Sequence, residues 1–176
     1  TPYQDENEFG EAAGVESKLL AAEGYADNER IAELTQIVRE QWAAYQADPE
    51  GYFDTAELFQ LDTLIGGLAL NDPALVEILA EDSNDAIEWL KTIGAEMPSV
   101  SSFGGASVKR IHRPVDEDGK VVSVGEFIVP VLEANLAQRG IQILLETTAE
   151  QILMDEDGKA VGVIARGATG NTITVN

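Results

Sequence analysis

The sequence predicts an α+β fold, and three observations predict it. Apolar residues recur at helical spacing through the first half of the 176-residue chain. The last third changes period, with β-rich runs separated by "DEDGK" (155–159) and "GATG" (167–170). No Ser/Pro-rich tether lies between the two regimes, so the shift near residues 95–105 marks a new layer within a single partial domain over 1–176. That domain reads as mainly helical over 1–95 and as α/β with a meander over 96–176.

Residues 1–28 are acidic, with scattered Ala and Gly and a short helix predicted over 15–23. The next helix runs from about Asn28 to Ala47, on the spacing of Ile31, Leu34, Val38, Trp42 and Tyr45, and Pro49 and Gly51 stop it. Another starts at Asp54 or Thr55, with Asp54 as N-cap, Glu57 completing a capping box, and Gly66-Gly67 at its end. Asp72 then caps a helix with Pro73 at its first position. Its Leu75, Ile78 and Leu79 are expected to point inward. Asp82-Ser83-Asn84 is expected to break it, and the segment carrying Ile87, Trp89 and Leu90 ends at Gly94. Trp42 and Trp89 both lie on apolar faces and are expected in the core.

Val108 to Pro114 reads as extended, and "DEDG" (116–119) as a hairpin turn into Lys120-Val121-Val122. A helix from about Gly125 to Gln138 contains Pro130, which kinks a helix or sits near its start. A short apolar strand is expected at Ile141–Leu145. A three-stranded antiparallel meander follows over Glu150–Asp155, Ala160–Arg166 and Asn171–Val175.

Composition excludes several function classes. Asp+Glu number 32 against Lys+Arg 11, a net charge of -21, which repels nucleic acid and anionic membrane. No cysteine and one histidine leave no thiolate or zinc site, and the absence of cysteine does not fix the compartment. No run is long and apolar enough for a membrane span, and the N-terminal stretch is no signal peptide. There is no GxGxxG, no P-loop and no nucleophile elbow. "DEDG" lacks the remaining ligands of a calcium loop.

The run "SSFGGASVKRIHRPV" (101–115) stands out because Lys109, Arg110, His112 and Arg113 follow a small-residue turn. Glycines let a backbone approach a planar or charged ligand, and the amides of Gly104, Gly105, Ala106 and Ser107 suit a small anion-binding nest. The cations would then attract a carboxylate or phosphate. The same run equally fits a glycine turn followed by a strand that pairs its cations with the chain's own acids. His112 lacks a placed partner and is assigned no catalytic role.

Several stretches, taken in order, resemble the FAD-dependent fumarate reductase/succinate dehydrogenase flavoprotein family, and most of all its soluble fumarate and urocanate reductase branch. They are "TPYQ" (1–4), "LFQLDTLIGG" (58–67), "NDPALVEILAEDSNDAIEWLKTIGAEM" (71–97), "FGGASVKRIHRP" (103–114) and "VLEANLAQRGIQILLETTAEQILMDEDGKAVGVIA" (131–165). The least typical part is roughly residues 5–53, which look like an insertion. "GGASVKRIHRP" favours this branch over aspartate oxidases and ketosteroid dehydrogenases.

The resemblance implies an internal segment of a larger FAD-binding α/β domain, with the GxGxxG unit upstream and a flavin-contacting glycine turn downstream. It implies FAD as cofactor of the parent, not retained by this chain alone. The substrate would be a small unsaturated mono- or dicarboxylate, reduced at its C=C bond. It places Gly104, Gly105, Ala106 and Ser107 beside the flavin, Phe103 and Gly104 beside the substrate, and the main chain of Ala149 and Glu150 beside the adenine. No catalytic residue falls in this chain, so it is expected to be inactive by itself. An exposed sheet edge or apolar patch is expected where the rest of the fold would pack, offering a route to a homodimer. The competing reading is a non-catalytic acidic module that grips an anionic partner through residues 104–113.

Overall fold

The apolar spacing of the first half is realised as four helices. In the computed structural model, which describes residues 12–102 and 104–176, these are α1 (Ala12–Ala22), α2 (Glu29–Ala47), α3 (Ala56–Gly66) and α4 (Pro73–Thr92). Strands β1 (Ser99–Ser101) and β2 (Ile111–Arg113) follow, then α5 (Val124–Gln138) and the strands β3 (Thr148–Met154), β4 (Ala160–Arg166) and β5 (Thr172–Val175). The α+β class and the meander are as the sequence predicts. "TPYQ" and Phe103 lie outside the described residues. The chain divides into one unit that ends at Glu133 and a second from Ala134 to Asn176.

In the first unit, α3 packs against α2 and α4, and α1 packs against α2 and α3. One core joins them: Val15 and Leu19 of α1, Ile31, Leu34, Val38 and Trp42 of α2, Leu58, Leu61 and Leu64 of α3, Val76 of α4, and Val108. Trp42, Tyr45 and Phe53 form an aromatic cluster with ring centroids 4.8–5.5 Å apart, which folds the chain back after α2. β1 and β2 form an antiparallel ladder that pairs Val100 with His112. Asp72 caps α4 by accepting from the Ala74 amide, as expected, and Asn28 caps α2 by accepting from the Ile31 amide.

Four local expectations are corrected. The N-cap of α3 is Thr55, whose hydroxyl accepts from the Leu58 amide. Asp54 is instead held by Arg110, and Glu57 accepts from Gln41, so no capping box closes. α4 runs unbroken through Asp82-Ser83-Asn84. These are weak helix formers, each costing only about 0.7 kcal/mol or less, and neither Gly nor a second Pro interrupts the turn.

The third correction concerns which face of α4 is inside. Val76 and Ala80 are buried, whereas Leu75, Ile78, Leu79 and Trp89 are 66%, 56%, 52% and 54% exposed. The helix carries two apolar stripes, roughly 100° apart by helical geometry, and α3 covers the one with the smaller side chains. Finally, Ile141–Leu145 forms no strand. A strand needs a ladder neighbour, and no described strand pairs with this run.

In the second unit the order is β3-β4-β5, antiparallel throughout. Each turn is built alike. The Asp155 amide donates to Lys159 O and the Gly158 amide to Asp155 O, with Gly158 at φ 76°. The Asp155 carboxylate also accepts from the amides of Asp157 and Lys159. Asp116 repeats this arrangement in the first "DEDGK", which explains why the same five residues serve as a turn twice. In α5, Pro130 lies inside the helix and removes the amide that would bond to Glu126.

Leu61→Ala is expected to destabilise the first unit by about 2–5 kcal/mol, since Leu61 is fully buried. Leu75→Ala is expected to change stability by about 0.5 kcal/mol or less. Urea unfolding of both variants tests which stripe of α4 is covered.

Candidate functional site

The glycine run forms a turn at Gly104-Gly105, and the chain then dives into the core at Ser107 and Val108. Gly105 has φ 89°, in the left-handed region that favours glycine. Both glycines are exposed, and a Cβ added at either would meet nothing within 4 Å. The outward side of the turn is therefore open.

The inward side is held by a buried carboxylate. Asp62, on α3, is 3% exposed. Its Oδ2 accepts from the Ser107 amide (2.9 Å), the Ser107 hydroxyl (2.7 Å) and Arg110 Nη1 (2.6 Å). Lys18 Nζ of α1 lies 3.2 Å from Oδ1, an ion pair outside hydrogen-bond geometry, and donates to Gly105 O at 2.8 Å. Because the Ser107 amide is committed to Asp62, it is not free for an anion nest.

Arg110 is held by two carboxylates and an aromatic ring. Its Nε donates to Asp54 at 2.8 Å, and its guanidinium lies 4.7 Å from the Phe59 ring centroid. Its side chain is 6% exposed. Nη2 is buried without a hydrogen-bond acceptor among the described residues. The Lys109 amide donates to the Tyr52 hydroxyl at 2.7 Å, tying the segment before β2 to the residue that precedes Phe53. Arg113 is exposed on β2. Thus Arg110 follows the pairing alternative, in which the chain's own acids take up its cations.

His112 is half-buried, with Nδ1 3.1 Å from Met97 O. A carbonyl only accepts, so Nδ1 carries the proton. Burial pushes its pKa below the ordinary 6.5, and the Met97 hydrogen bond opposes that in part.

Two cavities adjoin this cluster. One of about 480 Å³ lies beside the turn, lined mainly by Phe59, Thr63, Leu79, Gly104, Gly105 and Ile111. The other, about 530 Å³, is lined by Asp54, Arg110 and His112 on one side and by Ser83, Asn84 and Ile87 of α4 on another. Both fall in the size range of small-molecule sites, roughly 300–1,000 Å³. An apolar space beside a side-chain-free, left-handed turn suits a flat heteroaromatic ring.

In the second unit, Ala149 pairs with Ala165, but Glu150 is the extra residue of a β-bulge, because Gln151 already pairs with Ile164. A bulge leaves backbone groups unpaired and available. The Glu150 carboxylate accepts from Arg166 Nε at 2.6 Å, which raises the Arg166 pKa.

Sequence reasoning placed the glycine turn but missed Asp62, Asp54, Lys18 and Tyr52. One signal was present. In "LFQLDTLIGG", Asp62 follows Leu58 by four residues, so a lone acid sits on the apolar stripe of α3 and demands a buried cation.

Residues 41–175 match the profile of a family described as FAD binding domain. A fumarate reductase (cytochrome) of Shewanella frigidimarina is 39% identical over 114 residues, covering 65% of this chain and 19% of that protein. A urocanate reductase of Eggerthella lenta is 30% identical over 126 residues, covering 70% of this chain and 20% of that protein. The solved open conformation of a flavocytochrome c3 fumarate reductase matches with a TM-score of 0.60 at 33% identity, over 70% of this chain and 21% of that one. The chain spans about a fifth of the length of these relatives.

Asp62→Ala is expected to cost about 3–5 kcal/mol, because it strands two buried cations and the Ser107 amide. Asp54→Ala is expected to cost less, since Arg110 keeps Asp62; chemical denaturation ranks the two. His112 binds fewer protons folded than unfolded below pH 6.5. Its contribution to stability is complete above that pH and is lost as pH falls through the lowered folded value. Denaturation midpoints of wild type and His112→Gln, followed downward from pH 7, should therefore converge or cross.

Proposed function

The chain belongs to the FAD binding domain family, and on that footing we propose that it supplies part of the active site of an FAD-dependent reductase. The substrate class is an unsaturated mono- or dicarboxylate of the fumarate or urocanate type. The observation that carries this reading is the open turn at Gly104-Gly105, side-chain-free outward and fixed inward by Asp62.

Bound FAD would supply the hydride that saturates the substrate's C=C bond. The chain's own residues hold the cofactor. Gly104 and Gly105 admit the ring to backbone contact, Ala106 and Ser107 complete the cofactor-side stretch, and Phe103 and Gly104 are assigned to the substrate side. Apolar Phe59, Leu79 and Ile111 line the adjoining cavity. Exposed main chain at the Ala149–Glu150 bulge suits the adenine. Arg110 is no proton donor, since it is buried and held by two carboxylates. None of the chain's side chains is assigned the proton-transfer step, so the 176 residues alone reduce no substrate. The family match and the names of the similar proteins support this reading. The anionic-partner alternative loses Arg110, whose charge is already compensated.

The test compares the purified 176-residue chain with the product of the complete gene. The complete product is expected to carry a flavin absorbance band and to oxidise a reduced artificial donor when fumarate or urocanate is added. The shorter chain is expected to show neither retained FAD nor turnover. A complete product without flavin overturns the proposal. Turnover by the shorter chain overturns the division of the site.

A further inference from the structure

Helix α1 lies wholly outside the residues that match the family profile, yet it makes two separate contacts with the backbone of the glycine turn. Lys18 Nζ donates to Gly105 O at 2.8 Å, and Gly14 sits so close to Ser107 that a Cβ there would fall 2.0 Å from Ser107 O. Gly14 and Lys18 are four residues apart and share one face of α1. The first allows close approach and the second grips. Lys18 is nearly buried, with its side chain 11% exposed, and it also faces Asp62.

We propose that α1 is a clamp for the Gly104–Ser107 turn and that Lys18 is a positioning residue for the flavin site. Its Gly105 contact fixes the carbonyl of the left-handed residue, which orients the neighbouring amides. Its charge offsets Asp62, so that Asp62 can hold Ser107 and Arg110 together without an uncompensated negative charge beneath the turn. Gly14 sets the distance between helix and turn. The clamp itself follows from the contacts alone, whereas its bearing on flavin rests on the reading under Proposed function.

Two measurements separate these parts. In the 176-residue chain, Lys18→Met and Gly14→Ala are expected to speed hydrogen exchange at the Ser107 amide about tenfold or more. Lys18→Arg should restore near wild-type exchange, Leu20→Ala on the exposed face of α1 should have no effect, and meander amides should not change. Should Lys18→Met fail to fold, Gly14→Ala and Lys18→Arg carry the test. Wild-type exchange at Ser107 in both disruptive variants overturns the clamp.

In the flavin-loaded product of the complete gene, Lys18→Met is expected to shift the flavin absorbance maxima and midpoint potential, and Lys18→Arg to leave them nearer wild type. Faster Ser107 exchange with an unshifted flavin overturns the positioning role. A wild-type product with no flavin overturns the family-based reading instead, and the exchange result then decides the clamp alone.

Discussion

A carboxylate buried on the apolar face of a helix is the constraint that organises the first unit. Asp62 is almost without solvent, and a bare carboxylate there would cost several kcal/mol or more to desolvate. Its position is tolerable only because three hydrogen-bond donors and a further cation converge on it. They are the amide and hydroxyl of Ser107, the guanidinium of Arg110 and the ammonium of Lys18. Meeting that demand brings α1, α3 and the segment after the glycine turn to one point. The turn is therefore fixed by electrostatics behind it, while its outer face stays free of side chains.

The same demand explains one of the cations that this acidic chain gathers beside the turn. Arg110 answers Asp62 and Asp54 and stacks on Phe59. A lysine could not do this, because the geometry uses a planar group with two separate donor edges and a face. Lys109 contributes through its amide, and His112 through a ring hydrogen bond to Met97. A division of labour follows. Charged side chains set the shape of the loop from within, and its outer side carries only backbone at Gly104 and Gly105.

How much of this was legible varied by element. The Asp72 cap, the start of α2 near Asn28, the stop at Gly94, and the meander with its two turns were all readable, because each depends on residues a few positions apart. The glycine turn was readable as a turn. The N-cap of α3 was misassigned because Asp54 and Thr55 are both good caps, and only Arg110, 56 residues away, claims one of them. The inward face of α4 was misassigned because the helix carries two apolar stripes, and periodicity gives no ground for choosing between them. Ile141–Leu145 has strand composition, but composition does not provide a neighbour.

The sequence by itself determined the order and type of most elements, the excess of acid, and the likeness to a flavin family. These are properties of local pattern, where sterics, capping and periodicity act within one turn or one strand. Only the tertiary structure decided which acid is buried, which cation meets it, and that α1 reaches the glycine turn through Gly14 and Lys18. Those outcomes depend on contacts between residues far apart in the sequence, 45 positions for Asp62 and Ser107 and 87 for Lys18 and Gly105. Such pairings are set by which faces meet when the helices pack, and no single segment carries that information.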